Sequence, residues 1–99
     1  MKPYRVTPAA ENDLFEIWAY IVSDDPTAAD TLESEFFLNF QRLADRPDLG
    51  HFRHDLTDKP VRFFCVRHVY LIVYDPTEDG VIILRVLHGS RDAVEELNP

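Results

Sequence analysis

Between Val61 and Asp92 three apolar runs follow one another with almost no chain to spare, and few architectures accommodate that. Val61-Arg62-Phe63-Phe64-Cys65-Val66 and Val69-Tyr70-Leu71-Ile72-Val73-Tyr74 are rich in β-branched and aromatic residues, and only Arg67-His68 separates them, so a tight hairpin is expected. That turn lacks the glycine such hairpins prefer, which leaves room for a longer one. Asp75-Pro76-Thr77-Glu78-Asp79-Gly80 then supplies turn formers before the run Val81 to His88. The three runs predict a β-meander ending in a polar corner, Leu87-His88-Gly89-Ser90-Arg91-Asp92. Two of the strands are almost continuously apolar, so much of both sheet faces must be covered.

The preceding half supplies cover in helical form. Tyr4-Arg5-Val6 is a short strand candidate. Thr7-Pro8 then reads as a helix start, with a hydroxyl cap followed by proline where its missing N–H costs nothing. Ala10, Leu14, Ile17, Trp18 and Ile21 recur at the spacing of one helical face. Asp25-Pro26 repeats the device, with Asp25 as cap, and Ala29, Leu32, Phe36, Phe40 and Leu43 form a second stripe that Pro47 and Gly50 end. Helices joined this closely run antiparallel. The expected fold is a two-layer α+β domain of order β-α-α-β-β-β, with a helical hairpin on one face of a mainly antiparallel sheet and the first strand beside the last. The segment Gly50 to Pro60 reads as a loop. Ser90 to Leu97 reads as a short C-terminal helix or tail capped by Ser90.

The 99 residues are expected to form one domain, 1–99, and no apolar run approaches the roughly 20 residues needed to span a bilayer. Without an apolar leader at Met1-Lys2-Pro3-Tyr4-Arg5, a cytoplasmic protein is expected. Cys65 is the only cysteine, which excludes an internal disulfide and a multi-cysteine zinc site, and its place in a strand predicts a buried, inert thiol. No metal or other cofactor is expected. The net charge of −8 argues against general or sequence-specific DNA binding by the chain alone, since such affinity rests on cations neutralising phosphates. Acidity is concentrated early: residues 1–50 carry ten acidic and four basic side chains, against eight and six in residues 51–99.

Tyr4-Arg5-Val6-Thr7-Pro8-Ala9-Ala10 leads into Asp13-Leu14-Phe15-Glu16-Ile17, and Leu43-Ala44-Asp45-Arg46-Pro47-Asp48-Leu49-Gly50 precedes Arg53. Arg62-Phe63, Tyr70 to Tyr74 and Arg85-Val86-Leu87-His88-Gly89-Ser90-Arg91-Asp92 follow. In the order and spacing of these segments, the sequence resembles the ParE branch of the RelE/ParE superfamily of toxins from type II toxin-antitoxin modules. The resemblance implies the same helical hairpin on a sheet. It also implies a small antitoxin partner, ParD-like or similar, laid over the toxin.

Activity differs between branches. RelE-like members cleave mRNA on the ribosome, which requires a base, cations for the charged phosphorane and an acid. ParE-like members inhibit DNA gyrase without chemistry of their own. If this chain were a ribonuclease, Arg62, Arg85 and His88 would be the candidate catalytic residues, since arginine supplies fixed charge and histidine exchanges protons near neutral pH. A chain of net charge −8 is poorly suited to a site walled by RNA phosphate, which favours gyrase inhibition. The target-binding candidates are then Arg53, Arg62, His88, Arg91 and Asp92. A third possibility is an inactive toxin-fold protein that serves only as antitoxin partner and co-regulator.

Several of these residues have structural alternatives. Arg85 shares a predicted face with Ile83 and Leu87, and burial there would require an ion-pair partner. Arg62 could be solvated, His88 could bond within the turn, and Trp18, Tyr70 and Tyr74 could simply pack. Phe15, Ala19 and Val22 fall off the main stripe of the first helix, and Phe37 and Ala44 off that of the second. Phe15, Ala19, Val22 and Phe37 are therefore the candidate antitoxin-binding groove, with a wider core as the alternative.

Overall fold

The structure, a computed structural model, describes residues 1–98. Strand β1 (Tyr4–Val6) leads through Thr7 into helix α1 (Pro8–Val22), and Asp25 opens helix α2 (Pro26–Asp45). The expected caps form. Thr7 Oγ accepts the Ala10 N–H at 3.1 Å and donates to the Leu84 carbonyl at 2.8 Å, so the first cap also ties α1 to the sheet. The Asp25 carboxylate accepts the Ala28 N–H at 3.0 Å. A 3-10 turn at Pro47–Leu49 follows, and then strands β2 (His51–Phe52), β3 (Arg62–Val66), β4 (Tyr70–Pro76) and β5 (Val81–His88) and helix α3 (Gly89–Leu97). Among the described residues no helix is long and apolar enough to cross a membrane.

The five strands lie in the order β1-β5-β4-β3-β2. The meander pairs antiparallel as expected, and β1 joins β5 in parallel with Tyr4 opposite Val81. The α1–α2 hairpin covers one face, where Leu14, Leu32, Phe36, Phe40 and Leu43 meet Ile72, Tyr74, Val81 and Ile83. On the other face, Leu56, Phe63, Leu71, Val73 and Leu87 pack with Ala93 and Leu97 of α3. The near-continuous apolarity of β4 and β5 is explained by this cover on both faces.

Several local expectations are corrected. Within the segment read as a loop, His51 and Phe52 pair with Phe63 and Arg62 as a two-residue strand, too short to leave a periodic signal. Cys65 is exposed rather than buried: β2 reaches only to Phe63, so Cys65 lies on the sheet edge, and α3 packs over β4 and β5. Ala44 is fully buried in the core. Ser90 is not a cap, because α3 begins one residue earlier, with Gly89 at φ 82 and the Asp92 carboxylate accepting the His88 backbone N–H at 3.1 Å. Three residues rather than two separate the paired Val66 and Tyr70, and Arg67 and His68 both adopt positive φ, 55° and 59°.

A register shift between Val73 and Tyr74 inserts Leu84 as an extra residue of β5, so Val73 lies opposite Arg85 and Tyr74 opposite Ile83. Ile83 consequently faces the hairpin and Leu87 faces α3. The face predicted to hold Ile83, Arg85 and Leu87 together does not exist.

Candidate functional site

Because β1 spans only three residues, the second half of β5 has no strand neighbour on that side. Side chains complete the edge instead. The Asp13 carboxylate accepts the Val86 N–H at 2.9 Å, and Asp92 holds that of His88. Both outward donors are thereby satisfied without a neighbouring strand. Asp13 also receives two bonds from the Arg85 guanidinium, at 2.7 and 2.9 Å, while Glu96 of α3 approaches Arg85 at 3.6 Å. Hydrogen bonding to Asp13 raises the Arg85 pKa further above its usual value. Arg85 thus has the ion-pair partner its position demanded. Asp13 lies three residues after Ala10 and four before Ile17, so a carboxylate on the apolar stripe of α1 was the signal that identifies it.

Around this pair, α1, β5 and α3 enclose a groove of about 590 Å³. Arg85 and His88 of the candidate catalytic set both line it, together with the carboxylates of Asp13, Glu16, Asp92 and Glu96. His88 packs edge-on against Tyr70, ring centroids 5.3 Å apart, and its side chain is exposed. Arg62 does not join them. It lies opposite Tyr74 while His88 lies opposite Tyr70, a separation of four residues along the strand, or roughly 13 Å.

The target-binding candidates divide in the same way. Arg53 and Arg62 sit at the β2 end, where Arg53 makes two bonds to Asp55 at 2.9 and 2.8 Å and holds that carboxyl below its usual pKa range. Arg62 donates to the Gly50 carbonyl at 3.0 Å and stacks over the Phe52 ring at 4.5 Å. His88, Arg91 and Asp92 sit at the opposite end, where β5 passes into α3. There Arg91 is 95% exposed and its only ion-pair contact among the described residues is Glu95 at 3.8 Å.

A second groove, of about 550 Å³, opens along α1 and α2 beside the end of β1. Phe15 and Phe37, proposed from different helices, both line it, and they are 62% and 40% exposed. Leu14, Trp18 and Val6 complete its apolar lining. Trp18, read above as a packing residue, also faces this groove. It is half-buried, donates its indole N–H to Asp30 at 2.9 Å and leans on Phe15, ring centroids 6.3 Å apart. Ala19 and Val22, expected in the same groove, lie further along α1, half-buried and outside its lining. Among the described residues no group of three or more His, Cys, Asp or Glu side chains is placed to hold a metal ion.

No curated protein matches this chain. A solved structure described as the chromosomal ParDE TA system from P. aeruginosa superposes with a TM-score of 0.71 at 20% identity, covering 89% of this chain and 96% of that one. That likeness establishes the fold. A family model described as the ParE toxin of the type II toxin-antitoxin system, parDE, matches residues 4–93, which span the hairpin, the whole sheet and the start of α3. The chain therefore belongs to the ParE toxin family of type II toxin-antitoxin systems.

Proposed function

We propose that this toxin is neutralised by a cognate antitoxin seated in the α1–α2 groove, and that the free toxin inhibits DNA gyrase without catalysing a reaction itself. Support for the first half is the convergence of Phe15, Phe37 and Trp18 from two helices into one solvent-facing apolar groove. Two phenylalanines so exposed and adjacent are the kind of anchor that a partner's apolar segment covers.

What carries the second half is the composition of the groove that holds the only adjacent catalytic candidates. Arg85 is committed to Asp13 and Glu96, and four carboxylates surround it and His88. A phosphodiester entering there would meet repulsion, and the cation needed for a phosphorane is already neutralised. Membership of the ParE family points the same way. The target surface of this reading is the β5–α3 corner. Arg91 offers an almost fully exposed guanidinium there, held only by a long contact to Glu95, Asp92 holds the corner in shape, and His88 flanks it. Arg53 and Arg62 are tied to neighbouring groups at the opposite end.

Expression in cells with and without the antitoxin tests the proposal. Wild type is expected to arrest growth and to be rescued by the antitoxin, whereas Phe15→Asp, verified as folded by circular dichroism, is expected to arrest growth without rescue. Full rescue of a folded Phe15→Asp would place the antitoxin elsewhere. Cells that tolerate the free protein would support the inactive-partner alternative, and cleaved mRNA with intact gyrase activity would support the ribonuclease alternative.

A further inference from the structure

The net charge is confined to one part of the fold. Residues 8–45, from the start of α1 to the end of α2, hold nine Asp or Glu residues and one Lys or Arg. The remainder of the chain holds nine of each, so the whole charge of −8 resides on the helical hairpin. The single cation, Arg42, lies over the Phe64 ring at 5.7 Å, on the sheet side. Glu11, Asp30 and Glu33 rim the apolar groove, and none of them takes part in an ion pair among the described residues. The apolar groove therefore has a rim of three carboxylates and no compensating cation of its own.

We infer that the antitoxin segment filling this groove is a cationic amphipathic one, with apolar side chains on Phe15, Trp18 and Phe37 and Lys or Arg side chains against Glu11, Asp30 and Glu33. This inference rests on the groove being the antitoxin's seat. An acidic segment would bring like charges together in a space its own apolar side chains desolvate. A basic one is attracted from a distance by the hairpin's field and oriented by the rim on arrival. The rim consequently selects the partner's charge, and the aromatics hold it.

The experiment uses the full chain and its cognate antitoxin. Binding is measured at about 50 and about 300 mM NaCl, between which the screening length falls from roughly 14 to roughly 6 Å. Affinity is expected to fall about tenfold over that range, and E11Q/E33Q to weaken binding about tenfold at low salt with a flatter salt dependence, as for loss of two partly exposed pairs. Affinity that is flat or rises with salt, or an E11Q/E33Q variant that binds as well as wild type, would overturn the inference. Phe15→Asp separates the two levels. Its failure to bind alongside a flat salt response would leave the groove as the seat and remove only the charge selection, whereas normal binding by folded Phe15→Asp would remove both.

Discussion

Asp13→Ala is expected to be among the most damaging single substitutions on α1, although Asp13 makes no contribution to the apolar core. Asp13 is 8% exposed and accepts three hydrogen bonds, two from Arg85 and one from the Val86 N–H. Its removal leaves the buried Val86 N–H without a partner, a loss of about 1–3 kcal/mol. Breaking a fully buried ion pair costs about 3–5 kcal/mol, but Arg85 retains 23% side-chain exposure and the nearby Glu96, so only a fraction applies. Together these give about 3 kcal/mol, a large share of the 5–15 kcal/mol typical of a folded domain. Asp13→Asn keeps one acceptor in place and should cost about 1–2 kcal/mol. Adding Arg85→Met to Asp13→Ala should cost less than the sum of the two single changes, because the stranded guanidinium is gone. Urea unfolding followed by Trp18 fluorescence measures all four variants. Strict additivity, or an Asp13→Ala loss below about 1 kcal/mol, would refute the assignment of Asp13 as both edge cap and ion-pair partner.

Other predictions follow from local geometry. Tyr74 donates its hydroxyl proton to the Pro47 carbonyl at 2.6 Å and accepts the Gly50 N–H at 2.8 Å, so Tyr74→Phe should cost about 1–3 kcal/mol by calorimetry or denaturant titration. Burial raises the Tyr74 pKa above its usual 10, as it does that of Tyr70. Tyrosine gains its charge on losing a proton, so this contribution is whole below the unfolded pKa near 10 and is lost as pH rises toward the folded value. Stability should therefore decline above about pH 10, and Tyr74→Phe should decline less steeply. His68 holds φ 59 without a glycine's freedom, and relieving that conformation in His68→Gly should raise stability by about 1 kcal/mol, read as a higher thermal midpoint.

The sequence carried most of the scaffold because its signals were local. Thr7-Pro8 and Asp25-Pro26 each join a cap to a proline at the first helical position, and both helices begin there. The runs from Val61, Val69 and Val81 each delivered a strand, since β-branched and aromatic density is a property of adjacent residues. Phe15 and Phe37 were recognisable as off-stripe positions, and the structure brings both into one groove. What escaped depends on partners distant in sequence. The extra residue at Leu84 reverses the expected facing of β5 and is set by its register with β4. Exposure of Cys65 follows from the shortness of β2, and the partner of Arg85 lies 72 residues away. The proposed target residues separate to opposite ends of the sheet for a similar reason: their types suggested a site, whereas strand pairing decides which of them meet.

The claim that this ParE-family toxin acts as a protein inhibitor is tested most directly with purified DNA gyrase. Supercoiling and accumulation of cleaved DNA would be measured with wild type and with Arg91→Ala, whose side chain is 95% exposed and makes only a long, solvent-exposed contact to Glu95. The expected result is inhibited supercoiling with trapped cleaved DNA for wild type, and loss of both for an Arg91→Ala variant of unchanged stability. Unimpaired supercoiling at large excess of folded wild type, with mRNA cleaved on ribosomes instead, would contradict the claim.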